Sequence, residues 1–177
     1  MQSRGPVGAD VCVAAGPGPV NPFNVVATTS NATNDYDIES TCGTAQTFFS
    51  GTGASKDVAY GVVTDQNCTV TVTADPMGTD IEANTQGAEW DLSLYVLNAP
   101  DALCSRLPAL ADSQCVTMDD NAGPGAPETV AFSAVAGAQY FVIVDGYGGD
   151  SAGSFSLSIA GSGCNLVPVG LQSFSVD

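Results

Sequence analysis

A two-residue repeat of apolar and polar side chains is the sequence feature that most restricts the fold of this chain. Residues 68–74 read Cys-Thr-Val-Thr-Val-Thr-Ala, and residues 92–96, 130–134 and 155–159 alternate in a similar way. Successive side chains of a β-strand point to opposite faces, so each stretch predicts a strand with one face in the core. Residues 140–144 are apolar at every position, which predicts a central strand that is buried on both faces.

The predicted strands are short, regularly spaced and separated by turn residues, an arrangement typical of a β-sandwich or barrel. Charged residues make up only 12% of the chain, which argues against exposed helices because Glu, Lys and Arg dominate their surfaces. We therefore predict an all-β domain over residues 24–160. An extended Gly/Pro-rich segment over residues 1–23 precedes it, and a linker with a C-terminal β-strand tail over residues 161–177 follows it.

The chain is strongly acidic, with a net charge of −16 and only three cationic residues, Arg4, Lys56 and Arg106. A nucleic-acid site needs clustered Lys or Arg, so nucleic acid is excluded as a partner. An anionic membrane surface is disfavoured for the same reason, and no apolar run is long enough to predict membrane insertion. The acidity favours either solubility outside the cell or cation binding, and solubility is the simpler interpretation.

Cysteine usage indicates the compartment. The chain has six cysteines, no Cys-x-x-Cys pair and no histidine, so a zinc site is not indicated. Wide spacing and an even count predict three disulfides, formed in an extracellular or cell-surface location. The cysteines are Cys12, Cys42, Cys68, Cys104, Cys115 and Cys164. Cys104 and Cys115 flank a short loop and are predicted to pair. The lack of a hydrophobic leader is interpreted as a signal peptide already removed.

The absence of histidine also restricts catalysis, because Ser-His-Asp, Cys-His and HExxH sites all require it. Lys56 is the only lysine and lies where a loop enters a strand, which favours a solvated side chain over a Ser-Lys dyad. Paired carboxylates could cleave glycosides, but the carboxylates here lie mainly in predicted turns. We therefore predict that the chain is not an enzyme.

Several segments resemble, in order, the strands of bacterial pre-peptidase C-terminal domains. These are Asp57-Val58-Ala59-Tyr60, Asp91-Leu92-Ser93-Leu94-Tyr95-Val96, Cys115 with Asp119-Asp120-Asn121, residues 136–147 and residues 153–159. The resemblance implies a two-sheet, jelly-roll-like β-sandwich on a secreted bacterial protein. Such domains usually accompany a peptidase or another hydrolase without being catalytic, whereas this sequence contains no catalytic domain beside the sandwich.

The resemblance also implies that a set of acidic and amide side chains lies at strand ends and could converge at one end of the sandwich. The set is Asp91, Asp119, Asp120, Asn121 and Asp145. Ca²⁺ takes several oxygen ligands from loops, so the set is a candidate calcium site. Asp119 and Asp120 are its strongest members, because adjacent carboxylates repel unless a cation or donors offset them. The alternative is that these are ordinary turn residues capping strand ends.

The C-terminal tail indicates how the domain could associate. After Gly161-Ser162-Gly163 the chain is apolar and β-prone, with Leu171, Phe174 and Val176 as side chains that would fill a groove. Such a strand can pair with an exposed sheet edge. We therefore predict a non-enzymatic structural subunit that assembles with itself through terminal strands, and a head-to-tail contact could build a homopolymeric filament. In the competing arrangement the tail completes its own sandwich.

The alternative function is an accessory module of a secreted bacterial hydrolase that binds a polysaccharide or a matrix protein. Trp90, Tyr95, Tyr140 and Tyr147 could stack on sugar rings, although core packing is the commoner role of such aromatics in a sandwich. The tail distinguishes the two functions, because a subunit donates it to a neighbour whereas a module folds it back or uses it as a linker.

Overall fold

A computed structural model describes residues 21–34, 41–42, 46–47, 55–79, 89–98, 115–120, 122–147 and 151–167. The predicted N-terminal segment up to residue 20 and the tail beyond residue 167 lie outside these ranges. Several residues named above also lie outside them: Cys12, Cys104, Asn121, Leu171, Phe174 and Val176. Within the described ranges, no helix has the length and apolar character needed to cross a membrane.

The described residues form eleven β-strands and no helix. In chain order these are β1 (Phe23–Thr28), β2 (Thr41–Cys42), β3 (Gln46–Thr47), β4 (Val58–Thr64), β5 (Cys68–Met77), β6 (Leu92–Leu97), β7 (Cys115–Asp119), β8 (Glu128–Ala134), β9 (Gln139–Gly146), β10 (Ser154–Ser162) and β11 (Leu166–Val167). Each alternating stretch of the sequence lies in one of these strands, and the apolar run at residues 140–144 lies in β9.

The strands form two antiparallel sheets that pack face to face. One sheet has four strands in the order β1-β10-β5-β8, and the other has five in the order β11-β4-β9-β6-β7. The eight long strands change sheet at every step along the chain except between β6 and β7. This order is that of a jelly roll, in which two Greek keys fold over one core. The predicted all-β, two-sheet, jelly-roll-like sandwich is confirmed.

Alternating side chains build the core between the sheets. Along β5, Val70, Val72 and Ala74 are fully buried, whereas Thr69 and Thr71 face solvent. The inward side chains of β8 and β10 follow the same rule. Each large apolar side chain buried here contributes about 1.5–3 kcal/mol relative to exposure, so these strands hold their register with the correct face inward.

The five-stranded sheet is also buried on its outer face, as the uninterrupted apolar run in β9 predicts. Tyr95, Leu97, Phe141 and Ile143 point away from the main core, yet all four are at most 1% exposed. They pack in a second cluster that includes Cys42 of β2. The five-stranded sheet is therefore buried on both faces, whereas the four-stranded sheet is buried on one face only.

Two disulfides connect distant parts of the chain. Cys42 pairs with Cys115 across 73 residues, and Cys68 pairs with Cys164 across 96 residues. The predicted Cys104–Cys115 bridge is therefore wrong. Cys115 begins β7 and packs against the second apolar cluster, to which Cys42 belongs. Three disulfides would require that the remaining two cysteines, Cys12 and Cys104, pair with each other. Both lie outside the described residues.

The C-terminal region departs from the predicted linker. Gly161 and Ser162 are the last residues of β10 and pair with Val70 and Thr69 of β5. The Asn21 side chain donates to the Gly161 carbonyl at 2.8 Å and accepts from its amide at 3.0 Å, which holds this strand end in place. Hydrogen bonds to β5 and to Asn21 therefore outweigh the flexibility that glycine and serine would give a linker.

The predicted tail strand begins within its own sandwich. Leu166 and Val167 form β11, which pairs with Thr64 and Val63 at the edge of the five-stranded sheet, and Leu166 is fully buried. Asn165 donates to the Asp65 carboxylate from its backbone and from its side chain, both at 2.8 Å. The first residues of the tail thus complete their own domain, and the predicted pairing of Leu171, Phe174 and Val176 concerns residues beyond the described range.

Candidate functional site

One end of the sandwich gathers most of the described carboxylates, and we call this end the acidic pole. β4, β6 and β8 begin here, and β5, β7 and β9 end here. Asp91 directly precedes β6, Asp119 is the last residue of β7 and Asp120 follows it. Asp145 is the second-last residue of β9 and lies opposite Ser93 of β6. The structure therefore brings these four predicted calcium ligands to the same end of one sheet, while Asn121 lies outside the described residues.

Two of these carboxylates bind protein donors and hold strand ends together. Asp145 is only 1% exposed, and its side chain accepts from the Tyr95 hydroxyl at 3.2 Å and from the Gly146 amide at 2.7 Å. The Asp119 side chain accepts from the Thr129 amide at 3.0 Å and so links the end of β7 to the start of β8. The Asp119 contact is the strand-end capping that the alternative interpretation gave to such residues, whereas Asp145 lies within β9.

Asp91 and Asp120 differ, because their surroundings disfavour the charged form. The pKa of Asp120 is raised to about 6, chiefly by burial and also by the negative charges of Asp91 and Asp119, although a hydrogen bond from the Ser93 hydroxyl at 3.1 Å lowers it. Burial also raises the pKa of Asp91. A bound cation would offset this penalty, so the donor chemistry suits a cation at this pair.

The acidic pole nevertheless lacks a complete ligand set among the residues that the structure describes. No group of three or more His, Cys, Asp or Glu side chains is placed there, or elsewhere in the described ranges, to hold a metal ion. Ca²⁺ takes six to eight oxygen ligands, so Asp91 and Asp120 would need backbone carbonyls, Asn121 or water to complete a site. Calcium binding at this pole remains a prediction.

The aromatic residues considered for sugar stacking are mostly core residues. Trp90 and Tyr95 are fully buried and Tyr140 is 4% exposed, whereas Tyr147 is 43% exposed. Trp90 packs on Phe155, with ring centroids 5.9 Å apart. These four side chains therefore do not form a surface platform.

The outer face of the four-stranded sheet, which we call the open face, carries an unusual set of side chains. Its outward residues are Asn24, Val26 and Thr28 of β1; Ser154, Ser156, Ser158, Ala160 and Ser162 of β10; Thr69, Thr71, Thr73, Asp75 and Met77 of β5; and Thr129, Ala131 and Ser133 of β8. Hydroxyl groups dominate this face, and Asp75 is the one charged residue among these positions. Thr is among the residues enriched in strands, so β-propensity accounts for the threonines but not for the line of serines along β10.

A groove of about 310 Å³ lies over the middle of β10 on the open face, between side chains of β1 and β5. Its walls include Asn24, Val26, Thr73, Asp75, Ser156 and Ser158. The strand register sets these side chains in two rows, Asn24–Ser158–Thr73 and Val26–Ser156–Asp75. A serine on the middle strand lies between larger side chains in each row, which leaves the trough along β10. The alternation in residues 68–74 and 155–159 predicts that Thr73, Ser156 and Ser158 face outward, but it does not predict a site there.

The sequence of this chain has no recognisable relative among protein families and curated proteins. No protein-family model matches the sequence, and no curated protein matches it. Among solved structures, the chain is similar to CBM35 from Cellvibrio japonicus Abf62, with a TM-score of 0.39 and 13% identity over 84% of this chain and 100% of that one. It is also similar to Xyl-CBM35 in complex with a glucuronic acid containing disaccharide, with a TM-score of 0.37 and 12% identity over 84% and 99% of the two chains.

Proposed function

We propose that this chain is a non-catalytic extracellular module that binds a polysaccharide or a matrix protein through the open face. The observation that carries this proposal is the open face itself, because it is exposed, rich in hydroxyl groups and indented by a groove. The outer face of the other sheet is apolar and already covered. Two disulfides among the described residues fit an oxidising compartment outside the cell.

The chemistry of the open face supports binding rather than catalysis. Ser and Thr hydroxyls each donate and accept hydrogen bonds, so a row of them can match many polar partners. The chain contains no histidine to activate a hydroxyl as a nucleophile. The groove holds a single carboxylate, Asp75, whereas glycoside hydrolysis generally uses a pair.

A charged side chain in the groove should weaken binding strongly. Ser156→Glu places a longer, negatively charged side chain at the groove floor, so it should weaken binding at least about tenfold, because a buried unpaired charge costs more than the 1.4 kcal/mol that a factor of ten represents. The measurement is a pull-down with insoluble extracellular polysaccharides and matrix proteins. Asn98→Glu, at an exposed position after β6, is the matched control and should bind as the wild type does. Equal binding by Ser156→Glu and wild type would contradict the proposal.

Self-assembly through terminal strands is the second candidate function. The observation that favours it is that β11, where the tail begins, lies at the edge of the five-stranded sheet. A strand at a sheet edge can pair with a strand of another chain. Deleting residues 168–177 retains β11 and the buried Leu166 side chain, so the domain should stay folded. Sedimentation velocity then separates the functions: assembly predicts wild-type polymers that the deletion abolishes, whereas the binding module predicts monomers before and after it.

We also propose that Ca²⁺ stabilises the acidic pole, because Asp91 and Asp120 flank strand ends at one end of the same sheet and burial raises the pKa of both. The side chains that would hold it are these two, with Asn121 as a predicted further ligand. Bound calcium would neutralise charge at the pole and supply no chemistry to a reaction. The resemblance to pre-peptidase C-terminal domains is compatible with this role and remains a prediction.

A further inference from the structure

We infer that the groove on the open face holds a single chain of a neutral polysaccharide, laid parallel to β10. The inference rests on the proposed binding function and names its ligand class. It follows from the shape of the trough, from the hydrogen-bonding groups along it and from its charge.

The trough has the shape of a site for a linear polymer. β10 is nine residues long, which corresponds to about 30 Å of extended strand. All its outward side chains are small: Ser154, Ser156, Ser158, Ala160 and Ser162. Longer side chains of β5 flank this line on one side, and Asn24 and Val26 of β1 flank it on the other. The groove itself spans Ser156 to Ser158, and an extended chain could also contact the small side chains of β10 on either side of it.

The chemistry of the trough matches a polyhydroxylated ligand. The hydroxyls of Ser156, Ser158 and Thr73 can each donate and accept, as sugar hydroxyls do. The Asn24 amide can also donate and accept hydrogen bonds, and the Asp75 carboxylate can accept from two neighbouring hydroxyls of the sugar chain. Val26 is 66% exposed and offers the apolar contact that the CH-bearing faces of a sugar ring require. The groove thus combines several hydrogen-bonding groups with one apolar contact at Val26, and a sugar ring can use both.

Charge selects a neutral polysaccharide. The net charge of the chain is −16, and the one charged group in the groove is the Asp75 carboxylate. An anionic polymer such as a polyuronate would be repelled both by the whole chain and at the site. A neutral polymer meets neither repulsion and can donate its hydroxyls to Asp75.

A peptide fits this groove less well. Peptides bind sheets mainly by pairing with an exposed strand edge, whereas the groove lies on a face where β1, β10 and β5 already pair with one another. The groove also lacks deep apolar pockets for peptide side chains, because its middle line is serine.

The groove contains no aromatic side chain, so each sugar unit should bind weakly and the affinity should rise with chain length. We would test this by isothermal titration calorimetry with soluble neutral glucan, xylan and mannan, with their short oligosaccharides, and with anionic alginate at matched ionic strength. The expected result is binding to at least one neutral polymer, much weaker binding to its oligosaccharides and none to alginate.

Variants with matched side chains locate the site. Ser158→Val and Asp75→Asn each remove hydrogen-bonding capacity from the groove, so each should weaken binding about threefold to tenfold, as expected for one or two lost hydrogen bonds. Ser133→Val, on β8 of the same face but outside the groove, is the control and should bind as the wild type does. Melting curves of all three confirm that folding is unchanged.

The outcomes separate this inference from the proposed function. Binding to a matrix protein or to alginate alone, or neutral-polymer binding that the groove variants leave unchanged, would overturn the inference while the module would remain a binding protein. Failure to bind any polysaccharide or matrix protein would overturn both.

Discussion

Replacing both Cys68 and Cys164 with alanine should lower the free energy of unfolding by about 2–5 kcal/mol. This disulfide closes a loop of 96 residues and joins the start of β5 to the turn between β10 and β11. Loop closure restricts the unfolded chain, and the chain-entropy model predicts a large effect for a long loop. Cys164 is also buried at 6% exposure, so its removal loses packing as well. Urea unfolding under non-reducing conditions measures the effect.

The matched control is the double variant Cys42→Ala/Cys115→Ala, which removes the other described bridge. It closes a loop of 73 residues, so its entropic contribution is similar. Its structural consequence should differ, because Cys42 belongs to the layer that covers Tyr95, Leu97 and Phe141. We expect this variant to bind a dye specific for apolar surface in the folded state, and the Cys68/Cys164 variant not to do so. Unchanged stability in both variants would contradict the prediction.

In the presence of a chelator, the domain should become more stable as the pH is lowered from 7 towards 5. The pKa of Asp120 is about 6 in the folded protein and 3.8 ordinarily, so the folded state binds this proton more tightly than the unfolded chain does. The contribution of Asp120 to the free energy of unfolding is therefore fully present below pH 3.8, and it is lost as the pH rises through 6. Asp120→Asn should remove this dependence and stabilise the domain at pH 7 by about 1–2 kcal/mol, after allowance for partial exposure.

Calcium should offset the same penalty at neutral pH. Millimolar Ca²⁺ should raise the melting temperature of the wild type and have little effect on Asp120→Asn, because a ligand stabilises only the state that binds it. Asp75→Asn, on the open face, is the control and should respond as the wild type does. No shift in the wild type would contradict calcium binding at the acidic pole and leave the pH prediction standing.

The fold could be predicted because its determinants are local. The alternation in residues 68–74 becomes β5 with one face buried, and the apolar run at residues 140–144 becomes the doubly buried β9. A two-residue period is a direct consequence of strand geometry, so it needs no knowledge of the partner strands. The disulfides were not predictable in this way, because the partner of Cys115 depends on how a distant segment crosses the sheet.

The groove was not predictable for a related reason. Asn24, Ser158 and Thr73 lie in one row, yet they are separated by many residues in the chain and meet only through the register of β1, β10 and β5. At the acidic pole, the resemblance named the carboxylates, but only the structure distinguishes Asp145, which is tied to Tyr95, from Asp120, whose charge is disfavoured. The sequence pattern predicts which face of the sheet a side chain lies on. Its neighbours on adjacent strands depend on the register of the strands, which the pattern does not contain.

The hydrogen bonds of Asn21 have a mechanical consequence. Its side chain donates to the carbonyls of Gly161 and Cys164, both at 2.8 Å, at the end of the sandwich opposite the acidic pole. Peeling β1 away from β10 at this end would have to break these bonds together with the pairing of the two strands. The edge strand of the open face should therefore resist fraying, which amide hydrogen exchange would measure as slow exchange at the start of β1.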